Sequence, residues 1–380
     1  MRLDAVELRI IALPMATPFV ASHGTVSTRT SVIVRIISGA SEGWGECAAL
    51  PEPTYSDEYV DDALLTLRDH LVPLLFTADV PLTSSDLPAL FANVQGHPMA
   101  KAAIELALLD FEGRASNISL AHLLTPHPPG PATNVPAGVA LGLAETPQEI
   151  ASDAAARVAE GYRRVKMKIA PGRDREFVAA VRDAIGKDVA LSVDANGAYS
   201  LADMADMAAL AELDQFALSF IEQPLAADNL LDHAELARRL STPICLDESL
   251  TSELVTREAL DMGACSVVCV KAPRYGSWLQ AVQVLDHCAG LGIDAWVGGM
   301  LDGGIGRAAN LALAAHPGAS LAGDLAATSR FFTDDICAPF TLRKTDGTAT
   351  MSVPAGYGLG ITIDNDALHR LTIHTEAIRR

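Results

Sequence analysis

No run of apolar residues in this 380-residue chain approaches the roughly eighteen needed to cross a bilayer, although 49% of its residues are hydrophobic. The first twenty residues place Arg2, Asp4, Glu7 and Arg9 among alternating apolar positions. That pattern reads as a strand and lacks the unbroken apolar core of a secretion signal, so the expected location is the cytoplasm. Basic residues are the minority, 28 Lys and Arg against 47 Asp and Glu, and they are scattered. A clustered basic footprint is absent, and nucleic acid is not an expected partner. The net charge of −19 favours solubility and says nothing of fold. Six cysteines are too few to staple a chain of this length. Cys265 and Cys269 have no second pair or histidine at zinc spacing, and Cys245 and Cys269 sit in apolar runs, so buried free thiols are expected.

What is present is a change of rhythm. The segment Thr125-Pro126-His127-Pro128-Pro129-Gly130-Pro131 suits neither helix nor sheet and divides the chain. Before it lie two or three strand-like runs, Arg2 to Leu13, Ser31 to Ser38 and the turn region Gly43-Trp44-Gly45-Glu46, and helices expected from Ser56 to Leu75 and Met99 to Ala115. Strands followed by segregated helices predict an α+β unit over residues 1–130. After the break, strand and helix alternate. The strand-like runs are Asn134–Ala140, Arg164–Ile169, Ala190–Asn196, Ala217–Glu222, Ile244–Asp247, Val267–Lys271, Ala295–Met300 and, weakly, Ser320–Gly323. Thr146, Pro147 and Glu149 form a helix-start signature, and Ser200 with Asp203 opens another helix. This beat predicts a (β/α)7β TIM-like barrel over residues 131–330. The tail, 331–380, has strand-like pieces at Thr348–Val353 and Gly358–Ile363 and is expected to return to the first unit, completing an α+β capping domain.

In such a barrel, working residues collect at the C-terminal ends of the strands. Lys168, Asp194, Glu222, Asp247 and Lys271 end five consecutive strands, at separations of 26, 28, 25 and 24 residues. Three carboxylates gathered in one mouth repel each other unless a cation joins them. Oxygen ligands without His or Cys select a hard divalent ion, Mg²⁺ or Mn²⁺, which can polarise a bound carboxylate. Lys166 and Lys168 are two apart on a strand and face the same side. The neighbouring positive charge disfavours protonation of Lys168, fitting it to act as a base. Lys271 arrives from across the barrel. Two bases on opposite faces of a carbon suit a racemase, and one base with a nearby cation suits an elimination.

These residues and their flanks resemble the enolase superfamily in its muconate-lactonizing-enzyme branch, and within it the o-succinylbenzoate synthases and N-succinylamino acid racemases. The matching segments are Lys166-Met167-Lys168, Val193-Asp194-Ala195-Asn196, Ile221-Glu222-Gln223-Pro224, Leu246-Asp247-Glu248-Ser249, Val270-Lys271, Gly298-Gly299-Met300 and Gly306-Arg307-Ala308-Ala309-Asn310. Gly43-Trp44-Gly45-Glu46-Cys47 and Gly96-His97-Pro98-Met99-Ala100-Lys101 extend the likeness to nearly the whole chain. The resemblance implies Mg²⁺ on Asp194, Glu222 and Asp247, an acid/base pair of Lys168 and Lys271, and Lys166, Asn196 and Glu248 in support. It also implies a small-molecule carboxylate substrate and a homo-oligomer. Arg274 matches an arginine that accompanies racemase-capable members. Two departures bear on the pocket: Asp302-Gly303-Gly304 stands where relatives often carry Glu-Thr-Gly, and Ala140 where many have Ser. The alternatives within the branch are a muconate cycloisomerase and a dipeptide epimerase; the latter usually has an acidic pair at the eighth strand, and only Asp324 is evident.

Substrate contacts are expected from the capping unit's loops, Thr17 to Thr30 and Ala48 to Tyr55, through Phe19, Leu50 and Tyr55, and from Gly298, Gly299, Met300 and Asp302. Gly304, Gly306 and Ala309 imitate a dinucleotide fingerprint, but too little chain follows to build that domain. Asn117-Ile118-Ser119 is a glycosylation triplet without meaning in the absence of a secretion signal.

Overall fold

A computed structural model describes residues 2–21, 24–77 and 81–380, with the side chains of residues 19–21, 24, 25 and 345 outside that description. Strands β1 (Ala5–Ala21), β2 (Gly24–Ser38) and β3 (Ser41–Cys47) form an antiparallel meander, and β14 (Thr372–Arg379) adds to its edge beside β1. Alternation along β1 separates two cores. Val6, Leu8 and Ile10 pack with the helices of the first unit, whereas Ile11 and Leu13 join the barrel's core.

The region Gly43-Trp44-Gly45-Glu46, the third of the strand-like runs, is strand throughout and makes no turn. Its glycines serve close approach. A Cβ on Gly43 would stand 2.1 Å from the Ala107 carbonyl oxygen, and one on Gly45 would stand 2.0 Å from that of Ala103. The helix Pro98–Ser116 therefore lies directly on the sheet backbone, between capping sheet and barrel, and buries residues on every side. Gly45→Ala is expected to lower the unfolding free energy by about 3 kcal/mol or more, because backbone on both sides must shift. Urea unfolding within about 0.5 kcal/mol of the parent would contradict this packing.

The barrel sheet is parallel and runs in chain order: β5 (Gly138–Leu141), β6 (Arg164–Lys168), β7 (Ala190–Asp194), β8 (Ile221–Glu222), β9 (Ile244–Leu246), β10 (Val267–Val270) and β11 (Asp294–Val297). The weak eighth strand at Ser320–Gly323 does not form. Leu321 donates its N–H to the Ala295 carbonyl at 3.1 Å, and Gly323 accepts from the Gly138 N–H at 3.0 Å, so a bent segment closes the seam between β11 and β5. A Cβ at Gly323 would meet the Val297 oxygen at 2.4 Å, which is why the chain can pass so near. The helix Pro147–Ala159 opens on the reciprocal Thr146–Glu149 cap, whereas the helix Met204–Glu212 starts later than the Ser200 signal, with Asp203 itself as the cap.

Three further elements differ from the sequence expectation. The run Asn134–Ala140 splits, and its first part, β4 (Asn134–Pro136), pairs with β13 (Thr348–Ser352), which pairs with β12 (Leu342–Thr345). Gly358–Ile363 makes only isolated bridges, from Gly358 to Ser119 and from Ile363 to Cys337. Thr17 to Ala21 and Gly24 to Thr30 extend β1 and β2 and are not a loop. Among the described residues, no helix is long and apolar enough to cross a membrane.

Candidate active site

Sheet register assembles the charged groups. Lys168 on β6 is the lateral partner of Asp194 on β7, which is the partner of Glu222 on β8. Parallel pairing thus lines up three strand ends in one row, and Asp247 and Lys271 follow just beyond β9 and β10. Asp194, Glu222 and Asp247 are each almost wholly buried.

The lysines sit on these carboxylates. Lys168 Nζ lies 2.7 Å from Asp194 Oδ2 and donates to Asn196 Oδ1 at 2.5 Å. Lys166 Nζ lies 2.9 Å from Glu222, 3.2 Å from Asp194 and 2.7 Å from Asp324. Burial would strip its proton, but the three carboxylates outweigh that and hold its ammonium well above the usual lysine range. Lys271 Nζ lies 2.7 Å from Asp247 Oδ2, and there too the carboxylate overcomes desolvation. Burial alone would raise Asp194 and Asp247. Instead Lys168 and Lys166 press the first below the carboxylate range, and Arg274 and Lys271 bring the second to about 2. Glu222 goes the other way: burial, reinforced by Asp194, drives its carboxyl well above the ordinary value despite Lys166.

A second row joins the two lysines. Asn196 Nδ2 donates to Glu248 Oε1 at 2.8 Å, and the Tyr55 hydroxyl donates to the same oxygen at 3.0 Å. Tyr55 in turn accepts from Arg274 at 2.8 Å and from Lys271 at 3.3 Å. Arg274 also reaches Asp247 Oδ1 at 3.0 Å. Asn196 and Gln223, just past β7 and β8, both adopt left-handed backbone, with φ of 43° and 38°. The Gln223 side chain accepts from the N–H groups of Asp247 and Ser249, fixing the turn that carries Asp247.

Part of this set lines a cavity of about 110 Å³. Lys166, Lys168, Asp194, Asn196 and Lys271 form its floor, Leu50 and Tyr55 reach it from the capping unit, and Ala140, Gly299, Met300 and Asp302 complete the wall. Gly298 stands behind Lys271, where a Cβ would come within 2.7 Å of the lysine Cε. The Phe19 side chain lies outside the described residues.

Several residues that border this cavity had been given no role there from the sequence. Asp324 holds Lys166 and is itself held by Arg164 at 2.8 Å. The sequence showed it at the faint eighth segment, but only as one half of an acidic pair and without its partners. Arg307, Asn310, Leu325 and Phe331 also border the cavity. They come from a helix and a bend whose facing residues carry no periodic signal.

The acidic groups fit a hard divalent cation. Among the described residues, Glu222, Asp247 and Cys269 offer ligand atoms within 4.8 Å of one another. Asp194, expected as the third ligand, carries Lys168 at 2.7 Å and Lys166 at 3.2 Å. Burial pushes the Cys269 thiol far up, and a neutral soft donor does not suit an ion chosen by carboxylates. Glu222 is fully buried beside Asp194 and Asp247, and Lys166 at 2.9 Å does not offset burial and these neighbours, so a further cation there would relieve it.

The chain is similar to known proteins along nearly its whole length. Residues 5–125 match the mandelate racemase / muconate lactonizing enzyme N-terminal domain, and residues 149–367 match the enolase C-terminal domain-like family. An N-succinylamino acid racemase of Amycolatopsis is 44% identical over 98% of both chains. An o-succinylbenzoate synthase of Enterococcus faecalis is 37% identical over 97% of both. The crystal structure of an enolase-superfamily member from Listeria innocua superposes with a TM-score of 0.92 at 35% identity, covering 100% of this chain and 99% of that one. With both domains matched and relatives of such identity along its whole length, the chain belongs to the enolase superfamily, in its mandelate racemase / muconate lactonizing enzyme group.

Proposed function

We propose that this protein removes the proton next to a substrate carboxylate, acting as an o-succinylbenzoate synthase with N-succinylamino acid racemisation as a second reaction. One observation carries the reading: two lysine side chains, Lys168 and Lys271, are held on separate carboxylates and line a single cavity. Full-length relatives bear the names of both activities.

Asp194, Glu222 and Asp247 would hold the metal, Mg²⁺ or Mn²⁺. A divalent ion bound there would fix the substrate carboxylate and offset the negative charge that grows on it. Lys168, as the free amine, takes the α-proton. In dehydration of a cyclohexadiene acid, the electron pair left on carbon expels the β-hydroxyl, which leaves as water with the proton Lys168 acquired. Lys271 stays protonated and faces the anionic intermediate. In racemisation, Lys271 delivers its proton to the opposite face of the carbon. Lys166, clamped by Asp324 and Glu222, supplies fixed positive charge, while Asn196 and Glu248 orient Lys168. Tyr55 and Arg274 orient Lys271, and Leu50 with Met300 closes the cavity against water.

A dipeptide epimerase would turn an acidic group at the eighth segment towards a substrate amine. Here Asp324 is committed to Arg164 and Lys166. The experiment is turnover in heavy water of succinylated and acetylated amino acids, beside the cyclohexadiene acid. Expected are deuterium at the α-carbon of N-succinylamino acids and aromatisation of the cyclohexadiene acid. Binding without exchange or dehydration would instead mark a barrel that has become a carboxylate-binding protein.

A further inference from the structure

The helix Gly304–Ala314, which follows the seventh strand, has no cap of its own. Its N-cap is Gly303, with no side chain to accept from the first amides. The partners come from outside the barrel unit. Glu46, on β3 of the capping sheet, accepts from the Gly303 N–H and the Gly306 N–H, each at 2.8 Å. Asp335 accepts from the Gly304 N–H at 3.0 Å. Glu46 is itself fixed by the Ser31 hydroxyl at 3.0 Å.

A second arm of the capping sheet grips the preceding turn. Arg29 is wholly buried, and its guanidinium donates to four carbonyls: Thr30, Ala48, Ala49 and, across the domain boundary, Leu301 at 3.2 Å. Leu301 has a φ of 57°, a left-handed conformation that costs a leucine energy and persists only where neighbours enforce it. Within the turn, Asp302 Oδ2 accepts from the Met300 N–H at 2.8 Å and from Asn310 Nδ2 at 2.9 Å. Met300, Leu301 and Asp302 are cavity wall, and the turn begins at Gly298, against the stem of Lys271.

We infer that Arg29 and Glu46 are positioning residues: the capping sheet, through these two side chains, sets the Gly298–Gly303 turn and thereby the wall against which substrate binds. Neither residue lines the cavity. The Gly-Trp-Gly-Glu segment thus has a role in the barrel's mouth, its glycines seating the sheet on a helix and its glutamate reaching through to the turn. The inference rests on the proposed function for its kinetic reading, but its structural core stands without it.

The test compares Glu46→Ala, Glu46→Gln and Arg29→Met with the parent by amide hydrogen exchange and by KM and kcat for an N-succinylamino acid. For Glu46→Ala, exchange in a peptide spanning 300–307 is expected to quicken roughly tenfold, the factor that follows from losing a helix cap. Peptides from β6 and β7 keep the parental rate. KM is expected to rise by about the same factor, with a smaller change in kcat, and Glu46→Gln restores part of both because it keeps one acceptor. Arg29→Met should quicken the same peptide if it folds, and Glu46→Gln decides the matter if it does not. Unchanged exchange at 300–307, or quickening spread evenly over the barrel, would overturn the inference. So would a fall in kcat with KM unmoved. If the parent turns over none of these acids, the proposed function fails, and the exchange pattern still decides whether the clamp exists.

Discussion

Lys168→Ala is expected to lower both dehydration and racemisation by about 10³-fold, within the range that loss of a positioned acid or base produces. Lys271→Ala is expected to abolish racemisation to a similar extent but to leave a diagnostic residue of activity. The enantiomer whose α-hydrogen faces Lys168 should still exchange with deuterium and keep its configuration, since only the opposite face has lost its donor. Both variants should fold. Asp194 keeps Lys166 at 3.2 Å when Lys168 is removed, and Asp247 keeps Arg274 at 3.0 Å when Lys271 is removed, so neither buried carboxylate is orphaned. Turnover and exchange by NMR, with circular dichroism as the folding control, make the comparison. Parental rates in both variants would exclude these lysines from the chemistry.

Removing the metal is expected to have an effect of comparable size. Dialysis against EDTA should reduce turnover by at least about 10²-fold, and Mg²⁺ or Mn²⁺ should restore it, because buried charge stabilisation at the reacting carboxylate is worth several kcal/mol. Glu222→Gln should resist restoration. It keeps the shape of the side chain and discards the anion, at a buried carboxyl whose surroundings disfavour charge. Calorimetry should show Mg²⁺ uptake by the parent and much weaker uptake by Glu222→Gln. Full activity after chelation, or equal uptake by the two proteins, would refute the assignment.

How much could be read before the coordinates differs by kind of feature. The rim was legible because barrel topology turns a spacing of 24 to 28 residues into a spatial row, so charges at strand ends had to converge. The alternation of β1, the helix Pro98–Ser116 and the Thr146 cap were legible from local chemistry. The glycines of β3 misled. A glycine freeing the backbone to turn and one admitting a neighbouring helix look the same in one dimension, and only the 2.0 and 2.1 Å approaches tell them apart. The hairpin beyond Leu13 and the loss of an eighth strand were likewise hidden, since both are set by what pairs alongside. Asp324 was visible as a residue but had no partner until Arg164 and Lys166 were seen beside it. Contacts that cross between units, such as Tyr55 with Arg274 or Glu46 with Gly306, leave no periodic trace at all.

The left-handed residues at the barrel mouth have a consequence for anyone who wishes to toughen this protein against heat. Asn196, Gln223 and Leu301 each hold a backbone shape that glycine adopts freely and that other residues enter at a cost of about 1 kcal/mol or more. An engineer ranking sites by local relief would therefore nominate all three for glycine. Two of them would surrender a side chain that braces a lysine or an aspartate, and the third would loosen the turn that walls the cavity. Gains in melting temperature should be sought on the outer helices, and this rim left under tension.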